Sequence, residues 1–187
     1  MQLKSKNRLT ILVVFLLFAL PVVVAYLLGS GLIDFEPDST KNHGVFISPP
    51  IKLADYTDAD WVNDLPEHWT LIYRTPEVCD EACFEWEDKL HRYNLTLAQN
   101  ADKLELMLLA SDFDLRQQDP YSHITKVATR GHQNLNAMLD ELSKQSLENG
   151  EGLYVVAPEG YLMMAFAPDN PPEDVIKDLK LLVKRKG

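Results

Sequence analysis

The chain has 187 residues, 46% of them apolar, and a formal charge of −10. That length holds one ordinary domain plus an anchor or tail, and that apolar share excludes global disorder. Residues 1–33 carry Lys4, Lys6 and Arg8 and no acid, so the rest holds 28 acidic against 15 basic residues, a charge of −13. An acidic body of this kind repels phosphate backbones, which argues against nucleic acid as a partner and leaves a basic protein partner open.

The first element is "LTILVVFLLFALPVVVAYLL", an uncharged run from Leu9 to Leu28. Twenty predominantly apolar residues in a helix span the roughly 30 Å hydrocarbon core, and a proline such as Pro21 is tolerated there. The basic residues precede the run and the first charges after it are Asp34 and Glu36. The positive-inside rule then puts the N-terminus in the cytoplasm and residues 34–187 outside. A cleaved signal peptide is the rival, but its apolar stretch is usually shorter and ends in a small-x-small site. The expected location is a bacterial inner membrane, single-pass, with the soluble part in the periplasm. That compartment permits disulfides.

Residues 34–68 are rich in turn formers ("EPDSTKNHG", "SPP", "DYTDAD") and read as a linker and lead-in segment with irregular or hairpin structure. "WTLIYR" (69–74) is a buried-strand candidate. From Asp80 to about Gln99, Cys83, Trp86, Leu90, Tyr93 and Leu97 fall on one helical face. "LELMLLA" (104–110) has strand length, while its Leu and Met content also suits a helix. Residues 111–130 are polar, contain Pro120 and read as a long connection. "HQNLNAMLDELSKQS" (132–146) repeats apolar residues at helical spacing and stops at "ENGEG". "LYVVA" and "YLMMAF" around "PEG" read as a hairpin. The last segment, "EDVIKDLKLLVKRKG", begins with acids and ends with bases, as a helix dipole favours.

The order is strand, helix, strand, helix, strand, strand, helix. It predicts an α/β, thioredoxin-like domain over 69–187, a central mixed sheet flanked by helices, behind one N-terminal transmembrane helix in residues 1–33.

The two cysteines, Cys79 and Cys83, fall at the junction of the first strand and first helix of this domain, in "TPEVCDEACFEW". Residues i and i+4 of a helix have Cα atoms about 6 Å apart, within disulfide reach. So small a loop gains little chain-entropy stabilisation, so a purely structural staple is a weak explanation. A reversible redox pair or a clip for soft Cu(I) gains more from the spacing. A helix N-terminus lowers a thiol pKa, but Glu77, Asp80, Glu81 and Glu85 oppose ionisation. The same acids complement the helix N-terminus, which suffices to explain them.

Together, the N-terminal run, "WTLIYRTPEVCDEAC" and "GLYVVAPEGYLMM" resemble the Sco/SenC copper chaperones of cytochrome c oxidase assembly. With Asn42, His43 and Gly44 added, the sequence resembles still more closely small membrane-anchored proteins associated with bacterial cytochrome oxidase clusters. The resemblance covers most of residues 42–183. It implies a thioredoxin-like fold, Cys79 and Cys83 as a thiol–disulfide pair or Cu(I) ligands, and oxidase subunits or other assembly factors as partners. In Sco proteins a proline follows the second cysteine, where this chain has Phe84, and a histidine precedes the hairpin, where it has "ENGEGLY". The cis-proline of thioredoxins is missing there as well. Only Cys79 and Cys83 carry over. For a third metal ligand His123 is the first candidate and His43 the second, with His68, His91 and His132 behind them. The rival class is a non-catalytic interaction module with a degenerate site. No Gly-rich phosphate loop, Ser/His/Asp set or metal-hydrolase motif supports a hydrolase. Met163 and Met164 point to opposite sides of a strand, at least one into the core. The glycosylation-like "NLT" at 94–96 falls in a helix and reads as chance.

Overall fold

The computed structural model describes residues 10, 13–23, 26, 42–63, 65, 68–113, 121–147 and 151–184. Residues 1–40 and 41–187 form separate compact units. In the first, residues 13–23 are helical (α1), with Phe15, Leu17 and Phe18 exposed. The span expected over Leu9–Leu28 lies partly outside the described residues. Among the described residues no helix is long and apolar enough to cross a membrane.

The second unit runs β1 (Val45–Lys52), α2 (Asp60–Asn63), β2 (Trp69–Arg74), β3 (Val78–Cys79), α3 (Glu81–Thr96), β4 (Leu104–Ala110), β5 (Asp112–Phe113), β6 (Ile124–Ala128), α4 (Gln133–Ser146), β7 (Gly152–Val156), β8 (Tyr161–Phe166) and α5 (Pro172–Lys184). Six strands form one sheet in the order β1-β8-β7-β2-β4-β6, with β2, β4 and β6 parallel and the other pairings antiparallel. The mixed sheet and flanking helices are those expected from the order of elements.

The central strands are buried on both faces, which is why their sequences read as continuous apolar runs. Leu71, Tyr73, Leu106, Leu108, Leu153 and Val155 meet α3 and α5 on one face. Ile72, Met107, Leu109, Tyr154 and Val156 meet α2 and α4 on the other. Alternation along each strand thus feeds two separate cores. The face on α3 that was expected to be apolar is buried at Cys83, Trp86, Leu90 and Tyr93, and Leu97 follows the helix end. The hairpin β7–β8 closes at Gly160, whose φ of +79° suits a residue without Cβ. A register shift in this hairpin leaves Met163 half-buried and Met164 in the core.

Several expectations change. Residues 104–110 are a strand, which settles the helix alternative. The polar connection 111–130 contains β5 and the edge strand β6. Within the segment 34–68, expected as a linker followed by irregular or hairpin structure, residues 45–52 form β1, which pairs with β8 at the other edge of the sheet. Its Pro49 and Pro50 fall where the register breaks between Phe46 and Ile51, at an edge that tolerates missing N–H donors. Cys79 lies in the short strand β3 and Cys83 in α3, so the pair spans a strand–helix junction.

Candidate functional site

At the end of β2 the chain stays beside β4. Thr75 N–H donates to the Leu109 carbonyl, and Ser111 N–H donates to that of Glu77. The two-residue ribbon β3–β5 then pairs Val78 with Asp112 and Cys79 with Phe113. This ribbon sets the Cys79 backbone just ahead of α3. Asp80 is the N-cap: its carbonyl accepts from Phe84 N–H, and its Oδ1 accepts from Cys83 N–H at 3.3 Å. One otherwise orphan donor of the first turn is satisfied, and Cys83 is fixed in that turn. Cys79 and Cys83 are joined in a disulfide, with Cα atoms 5.1 Å apart.

The bridge is buried. Cys79 has 0% and Cys83 6% of its surface exposed. Around it the acids Glu77, Asp80, Glu81 and Glu85 face solvent, at and beside the helix N-terminus they complement. Below it, Tyr73 stacks on Trp86 with ring centroids 4.3 Å apart, and Lys89 Nζ lies 3.9 Å from the Trp86 centroid. The Tyr73 hydroxyl donates to Glu151 Oε1. Burial, and then this bond, raise the Tyr73 pKa far above its usual value, so the phenol stays protonated. One turn past Cys83, the buried Glu87 carboxylate pairs with Lys126 of β6 at 2.8 Å.

The structure sorts the histidines. His123, the first candidate for a third ligand, has its Nε2 3.1 Å from His91 Nδ1. His91 lies eight residues past Cys83 on α3, about 12 Å along the axis at 1.5 Å per residue. His123 is thus held by α3 at its middle rather than at the bridge. His43 sits against α5: its Nδ1 is 3.3 Å from Asp178 Oδ1 and its Nε2 3.3 Å from Asp174 Oδ1. His132 Nδ1 meets Thr57 Oγ1 at 2.9 Å, and His68 is exposed. Among the described residues, no group of three or more His, Cys, Asp or Glu side chains is placed to hold a metal ion. Once reduced, the two sulfurs alone would suit a soft monovalent ion in low coordination.

"NHG" has a structural role that its sequence did not disclose. Asp178 of α5, 1% exposed, accepts from His43 N–H at 2.7 Å and Gly44 N–H at 3.0 Å. A Cβ on Gly44 would lie 2.6 Å from Phe166 Cε1 and 2.7 Å from Met164 Sδ, so only glycine fits without repacking. "NLT" is likewise structural: Asn94 Nδ2 donates to the carbonyls of Ala101 at 2.8 Å and Leu104 at 3.1 Å. Missed altogether were Glu87, Lys126, Glu151 and Asp178. A charged residue on the apolar face of a helix, as at Glu87 and Asp178, was the available signal.

A mixed sheet with its cysteine pair at the junction of strand and first long helix defines a thioredoxin-like domain. The chain belongs to the family described as transmembrane-like, thioredoxin-like, C-terminal domain, whose profile matches residues 69–185. No curated protein matches the chain. Among solved structures, yeast Sco1 is 16% identical, covering 67% of this chain and 86% of its own, with a TM-score of 0.48. An SCO1/SenC family lipoprotein from Bacillus anthracis str. Ames is 16% identical, covering 65% and 84%, with a TM-score of 0.44. BsSco, described as a Sco-family cytochrome c oxidase assembly protein with a disulfide switch, is 13% identical, covering 66% and 85%, with a TM-score of 0.42. The resemblance to Sco proteins seen in the sequence thus recurs among the solved structures. Likeness at these identities and TM-scores says nothing of function.

Proposed function

We propose that this protein is a membrane-anchored, extracytoplasmic thioredoxin-like factor that assists assembly of cytochrome c oxidase through the Cys79–Cys83 pair. The observation that carries the reading is the disulfide held between β3 and the capped first turn of α3. The Sco/SenC resemblance of the flanking sequence supplies the biological context. The basic residues before Leu9, the exposed apolar side chains of α1 and the family's transmembrane-like description support an anchor in a bacterial inner membrane, with the domain in the periplasm.

In the reduced protein one thiolate attacks a disulfide of the partner and forms a mixed disulfide as a partner thiolate leaves. The second thiolate attacks that bond, closes the Cys79–Cys83 bridge and releases the partner's other thiolate. Two electrons pass to the partner. In the same reduced state both thiolates hold Cu(I) as cargo, handed on by ligand exchange. Thiol titration and Cu(I) binding on the purified chain test this reading. Mild reduction should release two thiols without unfolding and create one Cu(I) site that Cys83→Ser weakens sharply. A bridge that opens only with global unfolding would sink the reading.

One observation favours a second reading. With Cys79 and Cys83 both buried, an incoming thiolate reaches neither sulfur without movement of the ribbon or the first turn. A non-catalytic interaction module of the oxidase assembly machinery needs no such movement. It requires that oxidase levels be unaffected when both cysteines are replaced.

A further inference from the structure

Away from the bridge, the middle of α3 meets the turn that leads into β6. His91 Nδ1 and His123 Nε2 face each other at 3.1 Å, with ring centroids 5.0 Å apart. The Tyr121 ring stacks on His91 at 4.7 Å. Its hydroxyl donates to Asp88 Oδ1 at 2.8 Å, on the residue one turn before His91. These contacts hold residues 121 and 123 against the helix and bring imidazoles from two elements together. Two imidazole nitrogens at this separation share either one proton or one metal ion. Two nitrogens bound to one first-row divalent ion at about 2.0–2.1 Å stand about 2.9–3.4 Å apart for N–metal–N angles from square to tetrahedral. The observed separation lies inside that range.

We propose that His91 and His123 form a two-histidine site for a divalent transition-metal ion, with water in the remaining positions. Imidazole selects Cu2+, Ni2+ and Zn2+ over the hard ions Mg2+ and Ca2+, and Cu2+ stands first among these by general ligand-field order. The Asp88 carboxylate adds favourable charge beside the site. Arg92 opposes it in part, but its guanidinium is engaged by Asp88 Oδ2. The site stands about two helical turns from Cys83 and uses neither sulfur. It therefore holds whether or not the cysteines take part in oxidase assembly.

The test uses the full chain with the bridge oxidised, so that no thiolate competes, dialysed to equilibrium against Zn2+ alone and Cu2+ alone. The expected result is one saturable equivalent of each, Cu2+ the tighter. His91→Gln and His123→Gln should each weaken binding at least tenfold, and His43→Gln and His132→Gln should leave it unchanged. In the unmodified protein, Zn2+ should shift the imidazole NMR resonances of His91 and His123, a readout independent of whether any variant folds. Absence of saturable binding, glutamine variants that bind like the parent, or Zn2+ shifts confined to other histidines would each overturn the proposal.

Discussion

The two faces of the central sheet carry similar apolar cores and different chemistry. The face covered by α3 and α5 holds the Cys79–Cys83 bridge, the Tyr73–Glu151 bond, the Glu87–Lys126 pair and Asp178 clamped by His43 and Gly44. The face covered by α2 and α4 is mainly hydrocarbon, and there the buried Arg74 pairs with the half-exposed Asp140. The chemically versatile groups thus concentrate on one face of the sheet. Polar groups gather where β2 runs into α3 and where the lead-in segment meets α5.

The largest effects should make the faces look alike. Leu90 of α3 and Leu135 of α4 are both fully buried, one on each side. Leu90→Ala and Leu135→Ala should each cost about 2–5 kcal/mol in urea unfolding. Only Leu90→Ala should also alter the ease of reducing the bridge, because Leu90 shares its core with both cysteines. Equal effects on reduction from both variants would erase the functional distinction.

Asp178→Ala should cost about 2–3 kcal/mol, since the buried Gly44 N–H and the part-buried His43 N–H lose a charged acceptor. Thermal unfolding of the variant checks this. A loss no larger than that of a surface substitution would show that the clamp between the lead-in segment and α5 contributes nothing.

Alkaline pH probes both faces at once. Burial raises the pKa values of Tyr73 and Tyr93 on the α3 side, and that of Tyr154 on the α4 side to about 12. The unfolded chain loses these protons near the ordinary phenol value of about 10, while the folded chain keeps them. Stability is therefore complete below pH 10 and falls above it, by up to about 1.4 kcal/mol per pH unit for each such tyrosine. For Tyr154 the loss is complete near pH 12. Tyr154→Phe should make the fall shallower between pH 10 and 12. At neutral pH it should be close to neutral, because among the described residues the Tyr154 hydroxyl has no hydrogen-bond partner. Denaturation midpoints at pH 8 and pH 11 give the comparison.

The smallest effect is at the cap. Asp80→Ala should cost about 1 kcal/mol, the usual value of an N-cap side chain. Asp80→Asn should recover most of it, as the amide oxygen still accepts from Cys83 N–H. A loss unrelieved by Asn would assign the effect to charge instead.

Most of the domain was legible because strands buried on both faces betray themselves as apolar runs. "WTLIYR", "LELMLLA", "GLYVV" and "YLMMAF" are all of this kind. The edges were not legible. β6 has one fully buried residue, Ile124, and exposes Thr125 and Ala128, so its sequence looks like a loop. β1 is interrupted by two prolines that only an edge strand accommodates. At the candidate site, the cysteines and the helix after them were readable from spacing. The partners of the histidines were not, because His91 with His123 and His43 with Asp178 are long-range pairs that no local pattern encodes.

The measurement that bears most directly on the central claim is the level of assembled cytochrome c oxidase in membranes of cells carrying Cys79→Ser/Cys83→Ser. Removing the bridge should cost the fold only about 2 kcal/mol, given the short loop it closes. The variant protein should therefore still be present, which immunodetection in the same membranes verifies. With the pair acting as the functional centre, assembled oxidase should drop severalfold while this protein's own abundance holds. Normal oxidase in cells that contain the doubly substituted protein would contradict the account and leave the domain an interaction module.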